Sequence, residues 1–226
     1  MRTLLFDIDG TLLITHRAGG QALAEAMRVE FQVESFSTEG ISFAGRTDRD
    51  LTAEILKLAK LDPSVQNVGR LRRRYSQVLR TAIATIPGQV LPGVFDLLEQ
   101  LIRQPKVALA VMTGNFPETA RIKLEAYGLM DYFPWLMGGD LDPIRCDMAR
   151  RTKRHIENKH GAQATEDIIV IGDTTNDVKC ARSIEARCLA VCTGSDDRQA
   201  LQAAGADCVV EDLTDPQALQ YLTESI

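Results

Sequence analysis

The feature that most constrains this chain is the apolar run Leu4-Leu5-Phe6, which stops abruptly at Asp7-Ile8-Asp9-Gly10-Thr11. A run this short, closed by a glycine, reads as a buried parallel strand rather than a helix. Two acids at i and i+2 are a costly way to end such a strand, because an unpaired carboxylate resists desolvation and two neighbouring ones repel. A cation between them resolves the conflict. Mg²⁺ suits the place, since it takes oxygen ligands, keeps several waters and works beside phosphate. Taken alone, the same string also reads as a solvated turn with Thr11 as an ST-turn or helix cap. The rest of the chain has to decide.

With 226 residues, 45% of them apolar and 25% charged, the chain is long enough for one large or two small domains of ordinary globular composition. A net charge of −5 argues against nucleic acid or an anionic membrane as the main partner, so a substrate phosphate must be met by a local positive site. The five cysteines, Cys146, Cys180, Cys188, Cys192 and Cys208, are odd in number and lack a C-x-x-C pair. They fit neither a disulfide framework nor a zinc site, and most are expected to be small core residues in a reducing cytoplasm. Acids by residue 7 come too early for a signal peptide, and no stretch approaches the roughly 18 apolar residues of a membrane span.

Between residues 15 and 87 the apolar positions keep a helical period: Leu23, Met27, Phe31; Leu51, Ile55, Leu58; Leu71, Tyr75, Val78, Leu79. This predicts an all-helical insertion, entered through a flexible break at Ala18-Gly19-Gly20 and left at Pro87-Gly88, with hinges at both. Residues 1–14 and 88–226 remain as the core. Beyond Pro92-Gly93 the texture changes to short apolar runs at 107–112, 135–137, 168–171, 188–191 and 208–210, alternating with amphipathic helices closed by Gly128, Gly161 and Gly205. Strand, helix, strand in repetition predicts an α/β fold, a parallel sheet covered on both faces. Ligands of such sheets bind beyond the carboxyl ends of the strands, at a topological switch point.

Those strand ends carry the polar groups: Asp7-Ile8-Asp9-Gly10-Thr11, Thr113-Gly114-Asn115 and Gly172-Asp173-Thr174-Thr175-Asn176-Asp177. Asp7 can attack phosphorus to give an aspartyl-phosphate, and Asp9 can protonate the leaving oxygen and then deprotonate water. Asp173 and Asp177 would complete the cation's ligand shell. Thr113, with the amides of Gly114 and Asn115 at the start of the next helix, can hold phosphate oxygens.

In that order and setting the three segments resemble motifs one, two and four of the haloacid dehalogenase-like hydrolase superfamily. The resemblance spans essentially the whole chain. It implies a Rossmann-like core with a mobile helical cap inserted after the first motif, a place that 15–87 fits. It also implies that Asp7 is the nucleophile and Asp9 the acid/base. Mg²⁺ would be held by Asp7, the main-chain carbonyl of Asp9 and Asp173, with Asp177 nearby. The third motif, a cation that neutralises phosphate and nucleophile, departs here from its common lysine-proline form. Arg145, Arg150 and Lys153 are the candidates, with Arg145 preferred at the expected helix start; a solvated helix face is the competing reading of each.

An aspartate at position 9 is the mark of the superfamily's phosphatases and phosphomutases rather than its dehalogenases, phosphonatases or transport ATPases. Gly45-Arg46-Thr47-Asp48 resembles a loop of phosphoglycolate phosphatase-like members, which would let Arg46 reach substrate; Thr47 or Asp48 capping a helix reads equally well. His16, His155 and His160 follow no metal spacing, and Phe133 and Trp135 suit core packing. The expected activity is Mg²⁺-dependent hydrolysis of a small phosphate monoester. A phosphomutase is the alternative enzyme. A non-catalytic metal-binding regulator is a further alternative, against which the retained Asp7–Asp9 pair speaks.

Overall fold

The computed structural model describes residues 1–224. The chain begins with β1 (Arg2–Phe6) and β2 (Leu13–Ile14), then three helices, α1 (Ala18–Phe31), α2 (Asp48–Leu58) and α3 (Val65–Thr85). It continues through β3 (Gln89–Val90), α4 (Val94–Leu101), β4 (Val107–Met112), α5 (Pro117–Ala126), β5 (Leu136–Met137) and α6 (Arg145–His160). The last part is β6 (Ile168–Gly172), α7 (Thr175–Ser183), β7 (Arg187–Val191), α8 (Arg198–Ala203), β8 (Cys208–Val210) and α9 (Pro216–Thr223).

Six strands form one parallel sheet in the order β5-β4-β1-β6-β7-β8, the Rossmann-like α/β arrangement expected from the strand pattern. β1 sits inside it, in register with β4 (Phe6 opposite Val111) and with β6 (Phe6 opposite Ile171). The strand order reverses at β1, so its carboxyl end opens on the crevice where such sheets bind ligands. Alternate residues face opposite sides. Leu4, Phe6, Val111 and Ile171 pack with α4, α5 and α9, while Leu5, Ala110, Val170 and Ala190 pack with α6, α7 and α8. Burial on both faces explains why these strands read as continuous apolar runs.

Helices α1, α2 and α3 enclose an apolar cluster of their own, including Leu23, Met27, Ile55, Leu71, Tyr75 and Leu79, which extends to Phe116 and Ile122 beside and within α5. Thr47 caps α2 by accepting the Asp50 N–H, and Ser64 caps α3 by accepting that of Asn67. Leu58, in phase with Leu51 and Ile55, is exposed because the buried stripe shifts to Leu56.

One local expectation is corrected. Ala18-Gly19-Gly20 is the first turn of α1, not a flexible break. The chain turns just before it, at His16 (φ 42°) and Arg17 (φ 73°), both in the left-handed region. The glycines permit close packing instead: a Cβ at Gly19 would lie 3.4 Å from the Tyr75 hydroxyl and one at Gly20 3.3 Å from the Thr38 hydroxyl. At the other end, β2 and β3 pair antiparallel, Leu13 with Val90 and Ile14 with Gln89, so the two crossings run side by side as a ribbon. Two-residue strands carry too little periodicity to be seen in sequence.

Candidate active site

Asp7 follows the last residue of β1, and its N–H donates to the Ile171 carbonyl of β6, which fixes its backbone. Its Oδ1 accepts the Ile8 N–H at 2.8 Å, and its Oδ2 accepts from Arg145 Nη2 at 2.7 Å. The same Nη2 donates to Asp177 Oδ1 at 2.5 Å. Asp177 Oδ2 takes the backbone N–H and hydroxyl of Thr174, forming the capping box that starts α7. Asp173 accepts from the Thr11 hydroxyl at 3.2 Å and the Ser195 N–H at 3.3 Å. Thr11 thus braces an acid rather than capping a helix.

Asp7, Asp173 and Asp177 are all buried, and each brings a carboxylate oxygen within 4.8 Å of the others. One guanidinium bonds two of the three acids. Burial, reinforced by the charges of Asp177 and Asp7, pushes the Asp173 carboxyl up to about 8. Burial also raises Asp7, against the attraction of Arg145. Gly10, at φ 80°, and Gly194 leave the room Asp173 occupies, since a Cβ at either would overlap its carboxylate. The loop carrying Gly194 is tied down by the Thr193 hydroxyl, which donates to the Gly10 carbonyl at 2.6 Å. An oxygen-only donor set with surplus negative charge is the chemistry a hard divalent cation requires.

The side chain of Asp9 lies outside this cluster. Both its oxygens accept from Lys123 Nζ, at 2.8 and 2.6 Å, and Oδ2 also accepts from Asn115 Nδ2 at 2.8 Å. Thr113 is fully buried, and its hydroxyl accepts both the backbone N–H and the side-chain amide of Asn115. The helix expected to open at Gly114-Asn115 begins two residues later, at Pro117, so the Asn115 backbone N–H is spent inside its own turn. Gly114 packs against the Arg46 carbonyl, and a Cβ there would lie 3.2 Å from Arg145 Nη1.

Among the basic candidates only Arg145 enters the cluster; its side chain is 7% exposed and its Nε is buried with no partner. Arg150 pairs with Asp147 on the exposed face of α6, and Lys153 bonds the Ile184 carbonyl and Glu185. Arg46 borders the cavity but its guanidinium is held by Asp50 at 2.6 Å and Glu54 at 2.5 Å. His16 is exposed and Phe133 packs on Phe6, with ring centroids 5.7 Å apart.

Two residues of this neighbourhood have partners that the sequence reading did not assign. Asp48, at the first turn of α2, accepts the Phe116 N–H at 2.8 Å and the Thr119 hydroxyl at 3.2 Å, and burial pushes it up to about 6. Nothing distinguishes such an acid from an ordinary helix-capping one. Lys123 left a signal: it lies four residues after Thr119 on the buried face of α5, where a solvated lysine has no place. Together these groups line a cavity of about 780 Å³, with Asp7, Asp9, Asn115, Lys123, Arg145 and Asp173 on the sheet side. Arg17, Thr38, Phe43, Arg46 and Tyr75 line it from the helical segment. Among the described residues no helix is long and apolar enough to cross a membrane.

A sequence model of a family described as haloacid dehalogenase-like hydrolase matches residues 1–185. The phosphoglycolate phosphatase of Synechococcus elongatus is 29% identical over 228 residues, covering 99% of this chain and 98% of that protein. A probable phosphatase, IndB, of Dickeya dadantii is 29% identical, covering 92% of this chain and 88% of that one. Among solved structures, CbbY from Rhodobacter sphaeroides in complex with phosphate superposes with a TM-score of 0.75 at 20% identity, over 95% of this chain and 96% of that one. That last likeness is one of fold.

Proposed function

Since the chain belongs to the haloacid dehalogenase-like hydrolase family, we propose that it is a phosphatase that hydrolyses phosphate monoesters of small metabolites through an aspartyl-phosphate on Asp7. The observation that carries this is the Arg145 guanidinium set between Asp7 and Asp177 at the cavity floor. A buried cation bonded to the nucleophile is placed to meet the charge of an arriving phosphoryl group. Its buried, unpartnered Nε is a donor that an oxyanion would satisfy. The full-length likeness to phosphoglycolate phosphatases supports phosphoglycolate as the first substrate to try.

In this reading the Asp7 carboxylate attacks phosphorus, Asp9 protonates the leaving oxygen, and Asp9 then takes a proton from the water that cleaves the aspartyl-phosphate. The Thr113 segment and Arg145 orient the phosphate. Asp7, the main-chain carbonyl of Asp9 and Asp173 would hold Mg²⁺, with Asp177 beside them. When bound, that ion screens the repulsion between a carboxylate nucleophile and an anionic phosphate.

Residues 15–87 act in this proposal as a cap over a core of 1–14 and 88–226. Closing it would exclude water, with bending at residues 15–17 and at Pro87-Gly88. Gly45 and Arg46 carry the substrate-facing edge of the cap.

The test is phosphate release from para-nitrophenyl phosphate and from a metabolite panel that includes phosphoglycolate and sugar phosphates, with Mg²⁺ present. D7N is expected to lose at least about a thousandfold of the activity, as nucleophile removal does elsewhere. Undiminished activity in D7N ends the proposal, and isomerised sugar phosphate without free phosphate would replace it with a mutase.

A further inference from the structure

We infer that Lys123 is the residue that positions Asp9 for proton transfer, an inference resting on the reading of Asp9 as the proton donor. Lysine is rarely buried unless paired. Here the Lys123 side chain is 5% exposed whereas that of Asp9, its ion-pair partner, is 43% exposed. An ammonium has three N–H donors. Lys123 gives them to Asp9 Oδ1 at 2.8 Å, Asp9 Oδ2 at 2.6 Å and Asn115 Oδ1 at 2.7 Å, so no donor is left over. Asn115 closes the triangle by donating its Nδ2 to Asp9 Oδ2.

The contrast in burial assigns the direction of control. A carboxylate at the rim of a cavity, tethered only by its own backbone, samples several staggered rotamers. The buried ammonium is fixed by α5, and α5 is itself anchored at its start, where the Phe116 N–H and the Thr119 hydroxyl both donate to Asp48. Lys123 therefore imposes one orientation on Asp9 from a rigid helix. Misplacing a reacting group by about 1 Å costs on the order of a hundredfold in rate.

A positioning role has a signature that a structural one lacks. An alkoxide leaving group needs Asp9's proton, whereas para-nitrophenolate departs without one. kcat/KM, which reports steps up to formation of the aspartyl-phosphate, should be measured with Mg²⁺ for para-nitrophenyl phosphate and for the best alkyl phosphate ester of a panel. K123M is expected to lower kcat/KM about 10- to 100-fold on the alkyl ester and less than about threefold on the aryl ester, part of the roughly 100- to 10,000-fold that general acid catalysis supplies. K123R should recover most of the alkyl-ester activity. K123M added to D9N should cost nothing more, because the two act as one unit. K123Q gives the same reading if K123M does not yield folded protein. Equal losses on both esters, or none on either, overturn the assignment. A wild-type protein that cleaves neither ester instead removes the phosphatase reading, and with it the proton for Lys123 to direct.

Discussion

Arg145 Nη2 lies 2.7 Å from Asp7 Oδ2, across 138 residues of chain, in an ion pair whose two side chains are each 7% exposed. The same nitrogen serves Asp177, so a single cation offsets one acid from the end of β1 and one from the first turn of α7. Removing one member of a buried pair leaves the others uncompensated. R145M is therefore expected to lose about 3 kcal/mol of stability in urea unfolding of metal-free protein. Millimolar Mg²⁺ should narrow the gap by supplying positive charge to the same acids. A variant as stable as wild type without metal would show that the acids do not need Arg145.

A second prediction concerns pH. The Asp173 carboxyl is pushed from an ordinary 3.8 up to about 8, first by burial and then by Asp177 and Asp7. Its folded value lies above its unfolded one, so folding is favoured by the bound proton. The contribution is complete below about pH 4 and is lost as pH rises towards 8. In EDTA, the melting temperature of wild type relative to D173N should fall across that interval. Mg²⁺ needs the ionised carboxylate, so the stabilisation it gives should grow with pH over the same range. The opposite slope in EDTA would contradict the assignment.

Asp48 offers a test of the seam between α2 and α5. D48A removes the acceptor of the Phe116 N–H and should cost about 1–3 kcal/mol, the usual penalty for orphaning a buried donor. D48N keeps an oxygen in the same place and should stay within about 1 kcal/mol of wild type in the urea midpoint. Equal losses in the two variants would mean that charge, not the acceptor, matters there.

Cys146 should be the first thiol to react. Its Sγ lies 3.8 Å from that of Cys180, whose hydrogen bond pulls it down to about 6, while Cys180 itself is pushed up. The thiolate is the nucleophile. Iodoacetamide near pH 7 should label Cys146 before the buried Cys180, Cys188 and Cys208, as mapped by peptide mass spectrometry. Labelling should slow as pH falls through about 6, and C180A should slow it at pH 7. Preferential labelling of Cys188 would sink the prediction.

The strands and their loaded ends were legible because both are local signals. Leu4-Leu5-Phe6 and Ile168–Ile171 are short apolar runs that only a doubly covered sheet accommodates, and each is followed within two residues by an acid. Gly128, Gly161 and Gly205, all at positive φ, close helices as their spacing foretold. The Gly19-Gly20 pair misled because glycine marks two opposite things, a mobile break or a tight contact, and only the approach of Tyr75 and Thr38 decides between them.

The sequence by itself determined the sheet, the helical insertion's period and the strand ends at which Asp7, Thr113 and Asp173 would emerge, since periodicity and turn chemistry act over a few residues. Tertiary structure alone decided the pairing of charges. It chose Arg145 over Arg150 and Lys153 for the acids, gave Asp9 to Lys123, and tied Asp48 to α5. The reason is physical: what a charge costs or gains depends on its burial and on groups within a few ångströms of it, and residues 32, 114 or 138 positions apart acquire those distances only when the sheet closes.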